Sequence, residues 1–582
     1  MNTSGSDLAR ELYVQFGELQ QVRRVWEPAW KDVTDYIYPR RSGWSINPNH
    51  KTVRAGDDIY DGKALEAHTL MSDGIQGKMV QGTMTWFKLR FKDREVEDNQ
   101  DAKKWLEECE NYLYSLLQST NFYDCESEAF PDATGICTSY VMVEDMDGEL
   151  VFSPRHHLEM YISENKAGRV DTFYRHFSMT YRQASETFGD DLPQSIQAVA
   201  GKRSEHSIEI IHCVRPREDW RPSVPGPDGR TMPQAATAKR WGSYYLIYAS
   251  PGQEFSSNSI IHEGGYDYFP LITWRMRKNP GEPYGRGPGM DAIYDVMMLN
   301  LAAKDLAEAG QRALMPNYLA SEALRGRMRT SNPGGITYWD GAQRPLFEQL
   351  PGVSGQFPVS IEVINRLTES VRGHFHASFF TMLNIERQRM EGPRMQMTAT
   401  EVNAITAETA AILGTIVARC QSEHLGPLIR LVFALENDAG RLPPLPASLQ
   451  GIPETELEPD FVGPLAMAQR QFLRYQGSAE AAMSVIQVVT ALAQATGNQG
   501  LATSMMMNFD WDGIVRDIAE AKGMVSKNII GSKQVKQMQQ ALQQMQMQQA
   551  QQQAQLQAAQ TVNPNEAPQP GSPAHRAQGG RQ

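Results

Sequence analysis

Cysteine is scarce in this chain of 582 residues. The five present, Cys109, Cys125, Cys137, Cys213 and Cys420, are odd in number and contain no Cys-x-x-Cys pair, which argues against a disulfide framework and for buried thiols in a reducing compartment. Long apolar runs are also missing. No uninterrupted stretch approaches the roughly 20 residues of a membrane helix, and Met1-Asn-Thr-Ser-Gly-Ser lacks the charged-then-apolar order of a signal peptide, so a soluble, unexported chain with no membrane partner is expected. Positive charge is in deficit, 56 Lys and Arg against 68 Asp and Glu, for a net charge of −12. Proteins that grip nucleic acid concentrate positive charge, because neutralising phosphates releases counterions, so tight DNA binding is excluded. An acidic surface suits either a wall that phosphates slide past or a large assembly kept from aggregating.

Complete catalytic signatures are lacking too. A phosphate-cradling P-loop needs GxxxxGK[ST]. Gly56–Gly62-Lys63-Ala64 has five residues between its glycines and Ala where a hydroxyl is required, and Gly74-Ile-Gln-Gly77-Lys78-Met79 is shorter still. His156-His157 and His374/His376 have no companion ligands at metal-site spacing, and residues two apart on a helix do not share a face. The acidic runs Asp57-Asp58…Asp61 and Glu144-Asp145…Asp147 read as solvated loops rather than a two-metal site. No catalytic residue, metal or cofactor is expected.

What is present is a long mixed chain. Leu12, Phe16, Leu19, Val22, Trp26, Trp30, Val33 and Ile37 hold a helical face ended by Pro39, with a kink or break at Pro28, and further helices are expected over Asp61–Val80 and Asp101–Ser119. From Ser139 the period turns to two. Tyr140–Glu144 and Glu149–Phe152 flank the turn Asp147-Gly148, and Val170–Phe177, Ile208–Val214, Tyr244–Tyr248 and Phe269–Trp274 add strands; Arg215–Arg240 is a Pro- and Gly-rich surface excursion. The fold class is α+β.

The turn cluster Tyr284–Gly289 then leads into a helix over Met290–Leu314, slim because of Ala302, Ala303, Ala307, Ala309 and Gly310. A Pro/Gly-broken insert with a brief strand at Ile336–Trp339 follows. The helical period returns with Ile364, Leu367, Val371, Phe375 and Phe379, gives way to a loop over Thr381–Gln396, and resumes after a capping box at Thr398 and Glu401. That third helix is expected to bend or break at Gly426-Pro427 and to end near Asn437. Pro443–Pro464 is a linker; Leu465–Ala495 and Trp511–Ala521 read as helices. Gln makes up 15 of the 29 residues from Ser532 to Gln560, which favours a disordered polar tail over a short helical bundle.

Several stretches carry a resemblance: Trp30-Lys-Asp-Val-Thr-Asp-Tyr-Ile-Tyr-Pro-Arg40, the run from Tyr60-Asp-Gly to Trp86-Phe87-Lys-Leu89, Trp274-Arg-Met-Arg277, Tyr284–Gly289, and Met397-Thr-Ala-Thr-Glu-Val402. Their order over roughly residues 10 to 440 resembles the portal, or head-to-tail connector, proteins of short-tailed bacteriophages. The resemblance implies a ring, usually of twelve copies, at one capsid vertex, through which double-stranded DNA is packaged and later ejected. It implies partners as well: the packaging terminase, the major capsid protein or scaffold, and tail adaptor and nozzle proteins. It divides the chain into a wing over 1–285, stem helices at 286–314 and 361–380 around a clip at 315–360, a tunnel loop at 381–397, a long wing helix at 398–440, a crown at 441–531 and a tail at 532–582.

Three basic groups follow from that division. Arg387, Arg389 and Arg394 fall in the tunnel loop, either touching passing DNA or pairing with a neighbouring subunit. Arg325, Arg327 and Arg329 fall in the clip, where the resemblance places docking of motor and adaptor; a solvated loop is the alternative. Arg275, Arg277 and Lys278, just before the first stem helix, are either structural ion pairs or DNA-facing. A packaging enzyme, translocase or nuclease, and another tail adaptor are the competing functions, the first disfavoured by the failed nucleotide motif.

Overall fold

The computed structural model describes residues 5–43, 56–92, 99–146, 148–193, 205–218, 238–248, 260–314, 318–321, 336–339, 347–349, 357–380, 411–446 and 457–463, with a few isolated positions besides. The chain divides into two compact units. One comprises Met1–Arg90, Cys109–Pro443 and Leu457–Gln469, the other Phe91–Glu108, Pro444–Glu456 and Arg470–Gln582. Within the second, Phe91 stacks on Trp105 with ring centroids 6.2 Å apart; its remaining described residues are few.

The expected helical face is broken near Pro28 into helix α1 (Gly5–Arg24) and helix α2 (Glu27–Tyr36). Pro28 sits in the first turn of α2, where its missing N–H has no helical partner to lose, so the sequence signal marks a break. α1 turns Ala9, Leu12 and Phe16 onto Tyr161, Tyr174, Ile211, Tyr244 and Leu246. Those residues belong to an antiparallel five-stranded sheet in the order β4 (Met160–Glu164), β5 (Val170–Thr180), β6 (Ser207–Pro216), β7 (Trp241–Ile247) and β8 (Ile260–Tyr266). A second antiparallel sheet runs β3 (Glu149–Pro154), β2 (Thr138–Met146), β9 (Leu271–Arg275). Its hairpin closes Met146 onto Glu149, with Gly148 at φ +91° as the Asp-Gly signal requires. One aromatic core, containing Trp26, Trp30, Tyr38, Tyr140, Phe173 and Tyr284, joins α2 to both sheets.

Helices α3 (Lys63–Met79) and α4 (Gln100–Ser119) match the expected spans within two residues. Helix α5 (Phe122–Gly135) was not anticipated. It is buried over most of its circumference, so it shows no amphipathic period, and its two fully buried acids are matched: Asp132 by the Arg41 guanidinium at 2.8 and 2.9 Å, Glu126 by His424 Nε2 at 2.8 Å. The short helix α6 (Tyr181–Phe188) is set off by a capping box between Thr180 and Gln183.

The strand at Ile336–Trp339 is present as β11. With β10 (Tyr318–Ser321) and β12 (Phe347–Gln349) it makes a three-stranded sheet, parallel between β10 and β11 and antiparallel between β10 and β12. At Gly426-Pro427, where a bend or break is expected, the chain stays helical. Helix α9 (Gly414–Arg419), a π-helical turn at Cys420–Leu425 and helix α10 (Gly426–Asp438) follow one another with every junction in right-handed helical geometry. The wide turn removes the conflict a proline ring has with the carbonyl four residues earlier, and Gly426 is required because a Cβ there would lie 2.6 Å from the Gln421 carbonyl oxygen. The extra residue also aims Glu423 at Arg275 and His424 at Glu126. The capping box at Thr398/Glu401 and, apart from isolated positions, the tail and the helices expected beyond 464 lie outside the described residues.

Candidate functional site

Two helices stand apart from the rest in how their burial changes along their length. In α7 (Pro288–Leu314) Ala292, Ile293, Val296 and Leu299 are buried, while from Leu301 onward no described residue is. In α8 (Phe357–His374) the order reverses: Ile361 is exposed, and Val371 and the following Phe375 are fully buried. The helices are antiparallel neighbours, since Asp295 near the start of α7 meets Ser370 and His374 near the end of α8. The pair is therefore anchored at one end, and its other end is uncovered within a single chain.

Polar contacts fix the anchored end. Asp295 Oδ2 accepts from Ser370 Oγ at 2.6 Å and lies 3.1 Å from His374 Nε2; the serine bond, and secondarily the histidine, hold this carboxyl below its usual range. Asn300 Oδ1 accepts from the backbone N–H of Tyr60 at 2.6 Å, and its amide donates to the Asp58 carbonyl at 2.8 Å. Lys304 lies 5.3 Å from the Tyr60 ring centroid, and Arg372 pairs with Glu66 at 3.1 Å.

The entry to α7 explains the glycines of the Tyr284–Gly289 cluster. A Cβ on Gly285 would lie 2.1 Å from the Cys137 carbonyl oxygen, and one on Gly289 would lie 2.0 Å from that of Gly135, so only glycine lets the two backbones touch. Gly285 N–H donates to Thr138 Oγ1 at 2.9 Å, Arg277 and Arg286 exchange two backbone hydrogen bonds, and Tyr284 packs edge-on against Trp30 with centroids 5.0 Å apart. The Arg286 guanidinium, bonded twice to Glu282 at 2.7 Å, lies 4.8 Å from the Trp26 ring centroid.

Of the basic residues before α7, Arg275 is structural. Its side chain is 2% exposed; Nη2 donates to Glu423 Oε1 at 2.7 Å, Nε to Oε2 at 3.1 Å, and Nη1 to Glu164. Lys278 joins Glu164 at 2.5 Å and Arg419 joins Glu423 at 2.5 Å, closing a network of five charges. Arg277, half-exposed, pairs with Asp291 at 3.3 Å. The second acidic run is spoken for as well: Glu144 pairs with Arg155 at 3.6 Å and accepts from Tyr266 at 2.9 Å, and Asp145 pairs with Arg441 at 2.9 Å. Among the described residues no group of three or more His, Cys, Asp and Glu could hold a metal, and no helix is long and apolar enough to cross a membrane. Gly74–Lys78 lies inside α3 rather than in a strand-to-helix loop, so it cradles no phosphate.

The outward face of α7 carries Tyr294 (77% exposed), Met298 (60%) and Leu301 (58%). Their spacing of four and three places them in one stripe, which Asp305 and Glu308 continue toward the free end. Arg387, Arg389, Arg394, Arg325, Arg327 and Arg329 lie outside the described residues. Sequence reasoning missed the Asp295–Ser370–His374 clasp and the Glu126–His424 pair, whose members lie far apart along the chain and form no motif.

The family model for the bacteriophage head to tail connecting protein matches residues 9–530. The chain is 27% identical over 533 residues to the probable portal protein of Bordetella phage BPP-1, covering 90% of this chain and 89% of that one. It is 25% identical over 465 residues to the portal protein of Salmonella phage epsilon15, covering 79% of each. With well over half its length matched, the chain belongs to the bacteriophage head to tail connecting protein family.

Proposed function

We propose that copies of this chain close into a ring at one capsid vertex, forming the channel for DNA packaging and ejection and the platform on which other components dock. In this reading residues 286–314, with α7, and 361–380, with most of α8, are the stem, residues 315–360 the clip, 381–397 a loop narrowing the bore, 398–440 the long wing helix and 441–531 the crown. The observation that carries it is the helix pair anchored at one end with Tyr294, Met298 and Leu301 uncovered along one face. Contiguous exposed apolar residues mark a contact surface, and a head-to-tail contact repeated around an axis closes a ring. The acidic balance of the chain suits a wall along which phosphates slide. The mechanism is geometric rather than catalytic. Both portal relatives support the same role, and the partners are those of the head-tail junction: packaging terminase before filling, tail adaptor and nozzle proteins afterwards, and the capsid or scaffold around the ring.

Replacing Met298 and Leu301 together with Glu tests the contact. Burying each side chain contributes about 1–2 kcal/mol per interface, and two buried carboxylates oppose closure further. Sedimentation should show the variant as free subunits where the parent forms rings; rings of unchanged size and stability would refute this face as the contact.

A further inference from the structure

The end of α8 is not a simple helix stop. After His374 the chain turns through Phe375 and His376, and a helical turn resumes at 377–380. His376 has φ +49°, left-handed and shared among the described non-glycine residues only with Cys137. Such a residue persists only where its surroundings over-determine it.

Those surroundings lie on α3. Phe375, before the strained residue, packs against His68 with ring centroids 5.9 Å apart. Phe380, after it, lies across Gly74 so closely that a Cβ there would sit 2.3, 2.6 and 2.7 Å from three of its ring atoms. Lys78 Nζ covers the same ring at 5.0 Å from its centroid. The Gly74-Ile-Gln-Gly77-Lys78 sequence that mimics a nucleotide loop is thus a seat: glycine supplies the notch and lysine the cover. Inside the turn the His376 ring stacks on Phe379 at 5.6 Å, Phe379 N–H donates to the His376 carbonyl at 3.0 Å and His376 N–H to that of Gly373 at 3.0 Å.

We propose that residues 377–380 form a latch, in which Phe380 seated on Gly74 and Lys78 of α3 holds His376 in its left-handed conformation and so fixes the direction in which the chain leaves the second of the paired helices. In the ring reading that exit leads to the channel loop, and this consequence rests on that reading; the latch itself does not. Without the seat, His376 relaxes toward ordinary helical geometry.

Hydrogen exchange of the full-length chain, followed by mass spectrometry, tests it. Phe380→Ala should speed exchange of the 377–380 amides about tenfold or more, with α3 and residues 361–372 unchanged. His376→Gly, which accepts positive φ without strain, should slow exchange there. Gly74→Val should act like Phe380→Ala, and where Gly74→Val alone fails to fold, adding Phe380→Ala should restore folding by emptying the notch. Unchanged exchange at 377–380 in Phe380→Ala, or acceleration spread evenly through α3 and α8, would overturn the latch. Sedimentation of the same samples separates the two claims: an intact latch on a chain that never closes a ring counts against the channel alone.

Discussion

Arg275→Met removes the charge on which two carboxylates converge. In the parent, Glu164 and Glu423 are 16% exposed and share a guanidinium that is 2% exposed. Removing one member of a buried ion pair costs about 3–5 kcal/mol, because the partner charge stays behind. Here the lower end applies, about 3 kcal/mol, since Lys278 still neutralises Glu164 and Arg419 still neutralises Glu423. Glu423→Gln should cost less, about 1–2 kcal/mol, because an amide still accepts from Arg275. The double variant should cost less than the sum of the two, with a coupling of about 1–2 kcal/mol. The assay is urea unfolding read by amide exchange in residues 271–276 and 420–425, a local readout chosen because a chain of two units need not unfold in one step. Were Arg275→Met to unfold at the parent's urea concentration while DNA retention fell, the structural assignment would be wrong and the residue would face DNA.

Acid should weaken the fold through His68. Burial holds its pKa at about 4, against the opposing bond to the Pro131 carbonyl, so on acidification the unfolded chain takes up its proton first. The contribution is complete above about pH 6.5 and is lost as pH falls toward 4, by about 3 kcal/mol in all; His68→Gln should flatten the stability profile in that window, and an unchanged profile would remove His68 from the account. Charge reversal of Arg387, Arg389 and Arg394 should lower DNA packaging and retention in rings of normal size, and full retention would leave these arginines as braces between subunits. Neutralising Arg325, Arg327 and Arg329 should weaken terminase and adaptor binding without disturbing the ring; undiminished binding would remove the clip arginines from docking.

Much of the architecture was legible because burial imposes a period. Val371 and Phe375 recur at helical spacing on the side of α8 and its following turn that meets the core, and β2, β5 and β6 each carry a buried, largely apolar run long enough to be seen. Edge strands β4 and β8 were missed, the first because it spans five residues and the second because Gly264-Gly265 reads as a turn. Helix α5 was hidden by Pro131 and by burial on nearly every side. The π-helical turn that accommodates the proline at 427 is announced by no local pattern. The glycines at 285 and 289 were visible as a turn, but that they admit the backbone at 135–137 is a tertiary fact. Likewise, Gly74-Ile-Gln-Gly77-Lys78 was correctly refused as a nucleotide loop, while the ring that fills its notch comes from Phe380, three hundred residues away.

Closure of the chain into a ring whose bore is lined by paired helices is the proposal on which the predictions for the loop and clip arginines depend. Imaging of the purified full-length protein, with ATP hydrolysis measured on the same preparation, tests it most directly. Closed, hollow rings without ATPase activity are expected, in which Tyr294, Met298 and Leu301 are covered by the neighbouring subunit. A stable monomer, or a particle that hydrolyses ATP, would contradict it.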